Sequence, residues 1–170
     1  MQRHLLIIAI AALAVGAAQA AGPTSEIATG PAAYAKLKTL VGEWEADTAM
    51  GKAHLTYELI AGGTSLVERE SAAKMPDMLT VYYLDGDRLL LTHYCMAGNQ
   101  PRMQARAFNA ETGEVDFRFL DATNLANPAA GHMHNVKIHV VDHNHFASEW
   151  QFFENGQPKM TETAQYTRVK

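Results

Sequence analysis

Histidine titrates near neutrality and is the commonest metal ligand, and this chain of 170 residues carries eight of them. The most suggestive cluster is Gly131-His132-Met133-His134. Two residues apart on a strand, His132 and His134 project to the same side. Such a pair is half of a site for a divalent transition metal. His134 continues into Val136, Ile138 and Val140, an apolar face, while Asn135, Lys137 and His139 lie opposite. That alternation predicts His134 pointing inward, with His132 near a cavity mouth. An inward imidazole needs a partner, because burying it unsatisfied is costly.

A second constellation lies in Arg88–Met96, where Leu89, Leu91, His93 and Cys95 share one face and Leu90, Thr92, Tyr94 and Met96 the other. His93 beside Cys95 suits a metal, or a thiol activated by an imidazole. Both faces are apolar enough that the pattern does not choose the inward one. The same ambiguity holds for the next run, where Arg102, Gln104 and Arg106 alternate with Met103, Ala105 and Ala107. In Phe146–Phe153 the face of Phe146, Ser148, Trp150 and Phe152 is expected inward and Glu149 outward. Asp142-His143-Asn144-His145 reads as an exposed turn, roughly 30 Å from His132 at about 3.3 Å per strand residue. The sequence contains no phosphate-cradling glycine loop, nucleophile elbow, H-E-x-x-H or EF-hand loop.

The elements that must hold these residues are mostly strands. Pro31 to Val41 has helical spacing (Tyr34, Leu37, Lys38, Val41), with Pro31 suited to the first turn and Gly42 to the end. After Gly42 come ten short β-like runs separated by turn signals, among them Gly51, Gly62-Gly63, Asp85-Gly86-Asp87 and Asn155-Gly156. Short connections force antiparallel neighbours. The expected fold is all-β, an up-and-down antiparallel barrel of about ten strands with one short N-terminal helix plugging or capping one end. A two-sheet sandwich is the alternative. The longest irregular stretch, 122–131, reads equally as a cavity rim or a surface crossover.

The chain begins with Arg3, an apolar run from Leu5 to Val15, and Ala18-Gln19-Ala20. Those are the three parts of a cleavable secretory signal peptide, so a periplasmic or secreted protein is expected. The domain plan is a signal peptide at 1–20, a flexible lead-in at 21–31 and a barrel domain at 32–170. Cleavage would leave 150 residues and remove Arg3, taking the formal net charge from −4 to −5. No membrane anchor is expected, since the apolar run is about half the ~20 residues a span needs. The mild acidity gives no footprint for nucleic acid. A single cysteine, Cys95, excludes an internal disulfide and a four-cysteine zinc site.

The element Gly42-Glu43-Trp44 on the first strand, after a short helix and before a ten-strand meander, resembles the calycin group. That group includes lipocalins, fatty-acid-binding proteins and nitrobindin-like haem barrels. The resemblance implies that Trp44 packs across the closed end of the barrel, with Arg168 as its late-strand companion. Fatty-acid-binding barrels hold a carboxylate with Arg and Tyr, for which Arg102, Arg106 and Tyr166 are the candidates. Nitrobindin-like barrels ligate haem through one histidine.

The leading expectation is an exported barrel binding a small apolar or amphipathic molecule. Its cavity would be lined by Tyr82 or Tyr83, Phe146, Trp150 and Phe152, with His93 and His134 as polar anchors and Tyr94 and Arg102 as further binding candidates. One alternative is a metal- or haem-binding barrel using His132 and His134, or His93. Another is an enzyme using His93, Tyr94 or Arg102 for acid–base chemistry, which needs two titratable groups at one substrate. A filled structural or interaction module is the last. The sequence identifies neither a cofactor nor an oligomeric state.

Overall fold

A computed structural model of the chain describes residues 30–170. The expected signal peptide and residues 21–29 of the lead-in lie outside the described residues. Gly30 and Pro31, the last two residues of that lead-in, already belong to helix α1, Gly30–Leu37. A single 3-10 turn, Lys38–Leu40, follows it.

The ten expected strands are all present. They are β1 (Gly42–Thr48), β2 (Gly51–Ile60), β3 (Ser65–Ala72), β4 (Met75–Asp85), β5 (Arg88–Tyr94), β6 (Gln100–Asn109), β7 (Glu114–Thr123), β8 (His132–Val140), β9 (His145–Glu154) and β10 (Gln157–Arg168). Each pairs antiparallel with the next, and β1 pairs with β10 to close the barrel. Closure leaves no unpaired edge, which is the physical advantage of a barrel over the sandwich alternative.

One end is shut. Helix α1 lies across it, burying Ala33, Tyr34 and Leu37 and donating its Gly30 N–H to Asp87 O at 3.0 Å. Trp44 is fully buried, and its indole N–H donates to Leu40 O at 2.7 Å. The Arg168 guanidinium sits 4.0 Å from the Trp44 ring and donates to the carbonyls of Thr39, Val41 and His143. Gly42 has φ +136°, and a side chain there would run into the Arg168 guanidinium and the Lys170 carbonyl. So Gly42, Trp44 and Arg168 form one locked unit, with glycine required by close approach as well as by backbone conformation. Phe146 packs edge-on to Trp44 at 4.8 Å and stacks on Tyr166 at 4.6 Å, carrying the aromatic core up from this floor.

Side chains alternate in and out along each strand, except where the ladder is bulged. Irregular register falls between Glu70 and Ala72, Arg102 and Met103, Ala105 and Ala107, Met133 and Asn135, and Pro158 and Met160. The bulge in β8 decides the fate of its histidines. Met133 pairs with Phe152 and Asn135 with Gln151, so His134 is the extra residue and has no partner across the ladder.

Candidate functional site

The middle of the barrel holds a polar core. Glu68, on β3, is buried and accepts hydrogen bonds from Tyr57 at 2.5 Å, Tyr82 at 2.7 Å and Thr80 at 3.4 Å. Burial pushes its carboxyl pKa up, while those three hydroxyl donors oppose the rise. Thr80 Oγ1 also lies 3.0 Å from His93 Nδ1. A threonine hydroxyl has one proton. With Glu68 ionised, that proton goes to the carboxylate, Thr80 accepts from Nδ1–H, and His93 Nε2 is left as a lone-pair acceptor. This nitrogen is buried and has no hydrogen-bond partner among the described residues. Burial also lowers the His93 pKa to about 4, so the ring is neutral at neutral pH.

His93 opens on a small cavity of about 20 Å³, shared with Glu70, Met78, Met133, Ser148, Trp150, Glu162, Ala164 and Tyr166. That is the room one water-sized group needs. The Trp150 ring packs on His93 at 4.8 Å between centroids. Burial pushes the Glu70 carboxyl up to about 8, with further repulsion from Glu68 and Glu162. Burial likewise raises Tyr166 far above the ordinary phenol range.

Beyond this inner pocket the barrel opens into a mouth of about 410 Å³. Six methionines line it: Met50, Met75, Met78, Met96, Met133 and Met160. Met78, Met133 and Glu162 line both spaces, so mouth and inner pocket adjoin across these three side chains. The rest of the mouth is Thr48, Ala49, Thr161 and Thr163. Methionine is unbranched and polarizable, so such a rim adapts to varied apolar shapes.

The structure corrects several expected placements. His132 and His134 lie on the outer face, because the bulge adds a residue between inward-facing Met133 and Val136. There the rings of Phe119 and Phe153 stack on either side of His134, at 4.8 and 4.2 Å. His132 Nδ1 is 2.8 Å from Ala130 O and its Nε2 is 2.9 Å from His134 Nδ1, so the pair is joined by its own hydrogen bond. Loop 122–131 contributes Leu125, Asn127 and Pro128 to an outer groove of about 430 Å³ over these rings. Among the described residues no group of three His, Cys, Asp or Glu side chains is placed to hold a metal ion.

Tyr94 and Arg102 are also outside. Tyr94 is half exposed and lines an outer groove with His54, Thr56 and Arg69. Arg102 faces Asp121 across β6 and β7 and pairs with it, Nε to Oδ1 at 2.6 Å. Arg106 is exposed as well. Tyr166 is therefore inside without an arginine, and the carboxylate clamp of the fatty-acid-binding barrels is not assembled. Tyr82 points in, whereas Tyr83 points out and contacts Thr92 at 3.2 Å. Phe146, Trp150 and Phe152 face the interior as expected.

His93 and Cys95 share a face, but His93 engages Thr80. The Cys95 sulfur instead takes the Ala97 N–H at 3.5 Å, and burial raises its thiol pKa. That thiol is not activated. A haem plane also has no space against His93 Nε2, which faces a pocket of about 20 Å³ walled by Trp150.

Sequence reasoning missed Glu68, Glu70, Glu162 and the methionine rim. The rim had a readable signal. In an up-and-down meander every second turn falls at the same end, and Met50, Met75, Met96 and Met160 lie at or beside four such turns.

No protein-family model matches the chain, and no curated protein matches it. Among solved structures, the chain is similar to Rv2717c from M. tuberculosis, with a TM-score of 0.56 and 15% identity over 81% of this chain and 98% of that one. A DUF3598-family protein of unknown function from Nostoc punctiforme gives a TM-score of 0.24 and 5% identity, over 80% and 98%. The first likeness supports the barrel architecture alone. The fold and site thus define a class, a closed ten-strand barrel sealed at one end and open at the other.

Proposed function

We propose that this chain is an exported, calycin-like barrel that binds a small molecule end-on, with the ligand's apolar body in the methionine mouth and its polar head in the inner pocket. One observation carries the reading: the mouth adjoins, across Met78, Met133 and Glu162, a buried pocket lined by His93, whose Nε2 has no hydrogen-bond partner among the described residues. A buried acceptor left unpaired is costly, and a ligand head removes that cost. A mouth of about 410 Å³ falls within the ~300–1,000 Å³ typical of small-molecule sites. The signal-peptide pattern read in residues 1–20 supports export, and among the described residues no helix is long and apolar enough to cross a membrane.

Isothermal titration with 1-decanol, a neutral ten-carbon probe, tests the reading. One-to-one saturable binding is expected, weakened about tenfold or more in Trp150→Ala, which is ~1.4 kcal/mol. Tyr83→Ala, on the outside, should leave it unchanged. Full affinity in Trp150→Ala, or no saturable binding by the native protein, would overturn the assignment.

A further inference from the structure

The charge balance of the two adjoining cavities indicates what head group they accept. Glu70 and Glu162 contribute carboxyls to the lining, and among the described residues no lysine or arginine lines either space. Lys52, Lys74 and Lys159 on the rim are exposed and line neither cavity. In the tautomer that donates its Nδ1 proton to Thr80, His93, a residue 2% exposed, adds its unpartnered Nε2 as a third acceptor at the innermost wall. Trp150 and Tyr166 supply aromatic surface at the same level, and aromatic faces attract cations.

We infer that the ligand is a primary amine on an apolar body, bound as its ammonium ion with Glu70, Glu162 and His93 Nε2 as acceptors. The inference rests on the small-molecule reading above and names its substrate class. A primary ammonium has three N–H donors and no acceptor, which matches three acceptors and the water-sized inner pocket. A carboxylate would meet two glutamates and no cation. The methionine mouth suits an alkyl or aryl body that leads the head inward.

Glu70 supports the same assignment through its titration. The groups around it are Glu68 on its own strand, His93 on β5, Glu162 and Tyr166 on β10, and, along the outer groove that Glu70 also lines, His54, Asp77, Tyr94 and Arg69, the last paired with Glu58. Burial, together with the neighbouring carboxyls of Glu68 and Glu162, holds the Glu70 proton up to about pH 8. A bound ammonium reverses that balance, so binding at lower pH must expel the Glu70 proton. Amine affinity should therefore rise between pH 6 and pH 8, where the amine itself stays protonated, given an alkylamine pKa near that of lysine, ~10.4. Affinity for a neutral probe should stay flat.

The test is titration calorimetry of the native protein with decylamine, 1-decanol and decanoate at matched pH. Decylamine should bind about tenfold or more tightly than decanol, and decanoate more weakly than either. Glu70→Gln and, separately, the half-exposed Glu162→Gln should each remove the amine advantage and leave decanol binding in place. Equal affinity for amine and alcohol, tightest binding of decanoate, or an amine advantage that survives both substitutions would overturn the inference while leaving the small-molecule reading intact. Failure of all three probes to bind would overturn both.

Discussion

The two ends of this barrel are built on opposite rules. At the closed end polar groups meet partners: the Trp44 indole reaches Leu40, and Arg168 satisfies three carbonyls while covering the Trp44 ring. At the open end the inner pocket holds an unpaired imidazole nitrogen and a carboxyl pushed up to about 8. The first arrangement lowers the energy of the fold. The second leaves unmet demands that a ligand can meet, the usual signature of a functional site. The sequence mark of the fold, Gly42-Glu43-Trp44, therefore belongs to the end that does the holding and says nothing about what is bound.

The contrast can be broken most directly at Trp44. Trp44→Ala should cost about 3–5 kcal/mol, as for other large aromatics removed from packed cores. Urea unfolding measures this, and a loss below about 1 kcal/mol would mean the floor is not the anchor described. Arg168→Ala comes next, at about 2 kcal/mol, because three carbonyls and an aromatic face lose a charged partner. Trp150→Ala should cost less than Trp44→Ala, since its ring already borders empty space and forfeits fewer contacts. Its main effect should fall on binding instead. A stability loss in Trp150→Ala equal to that of Trp44→Ala would erase the division between the ends.

A subtler contrast is pH dependence. The folded Glu70 pKa, about 8, lies above its ordinary value of 4.5, so the native state binds the extra proton between those values. Stability from this group is present at low pH and is lost as pH rises through 8. His93 works in the opposite sense. Its folded pKa, about 4, lies below 6.5, so its contribution is lost as pH falls from 6.5 towards 4. Between pH 6.5 and 8.5 only the Glu70 effect remains of the two. Thermal unfolding across that window should show a fall of a few °C in Tm that Glu70→Gln largely abolishes. An equal fall in both proteins would refute the assignment. The smallest effect is expected outside the barrel: His132→Ala and His134→Ala should change decanol affinity by less than about twofold, since sites with no shared partners act independently.

How much of this the sequence carried differs by level. All ten strands and the single helix were readable, because Asp85-Gly86 and Asn155-Gly156 punctuate a period-two pattern that short loops turn into an antiparallel meander. The inward face of β9 was also legible from Phe146, Trp150 and Phe152. The failures share a cause. On β5 both faces carry apolar groups, and on β6 the Arg102, Gln104 and Arg106 face suited solvent or a polar barrel interior equally, so alternation could not show that Tyr94 and Arg102 face out. On β8 alternation gave a definite answer for His134 that the bulge reversed. Glu68 and Glu70 share a face with Leu66, but nothing in one strand shows that Tyr57, Tyr82 and Thr80 from its neighbours will surround a carboxylate.

The β8 bulge has a consequence for how such a barrel can change. The face a side chain takes depends on whether the count of residues to the next inward position is odd or even, and His134 is the one residue that alters that parity. Deleting it would leave Met133 two places from Val136, still inside, with His132 still outside. The methionine mouth would keep its lining, and only the outer aromatic–histidine groove would lose a ring. Gain or loss of this one bulge residue therefore edits the exterior of the barrel while leaving the interior as it was.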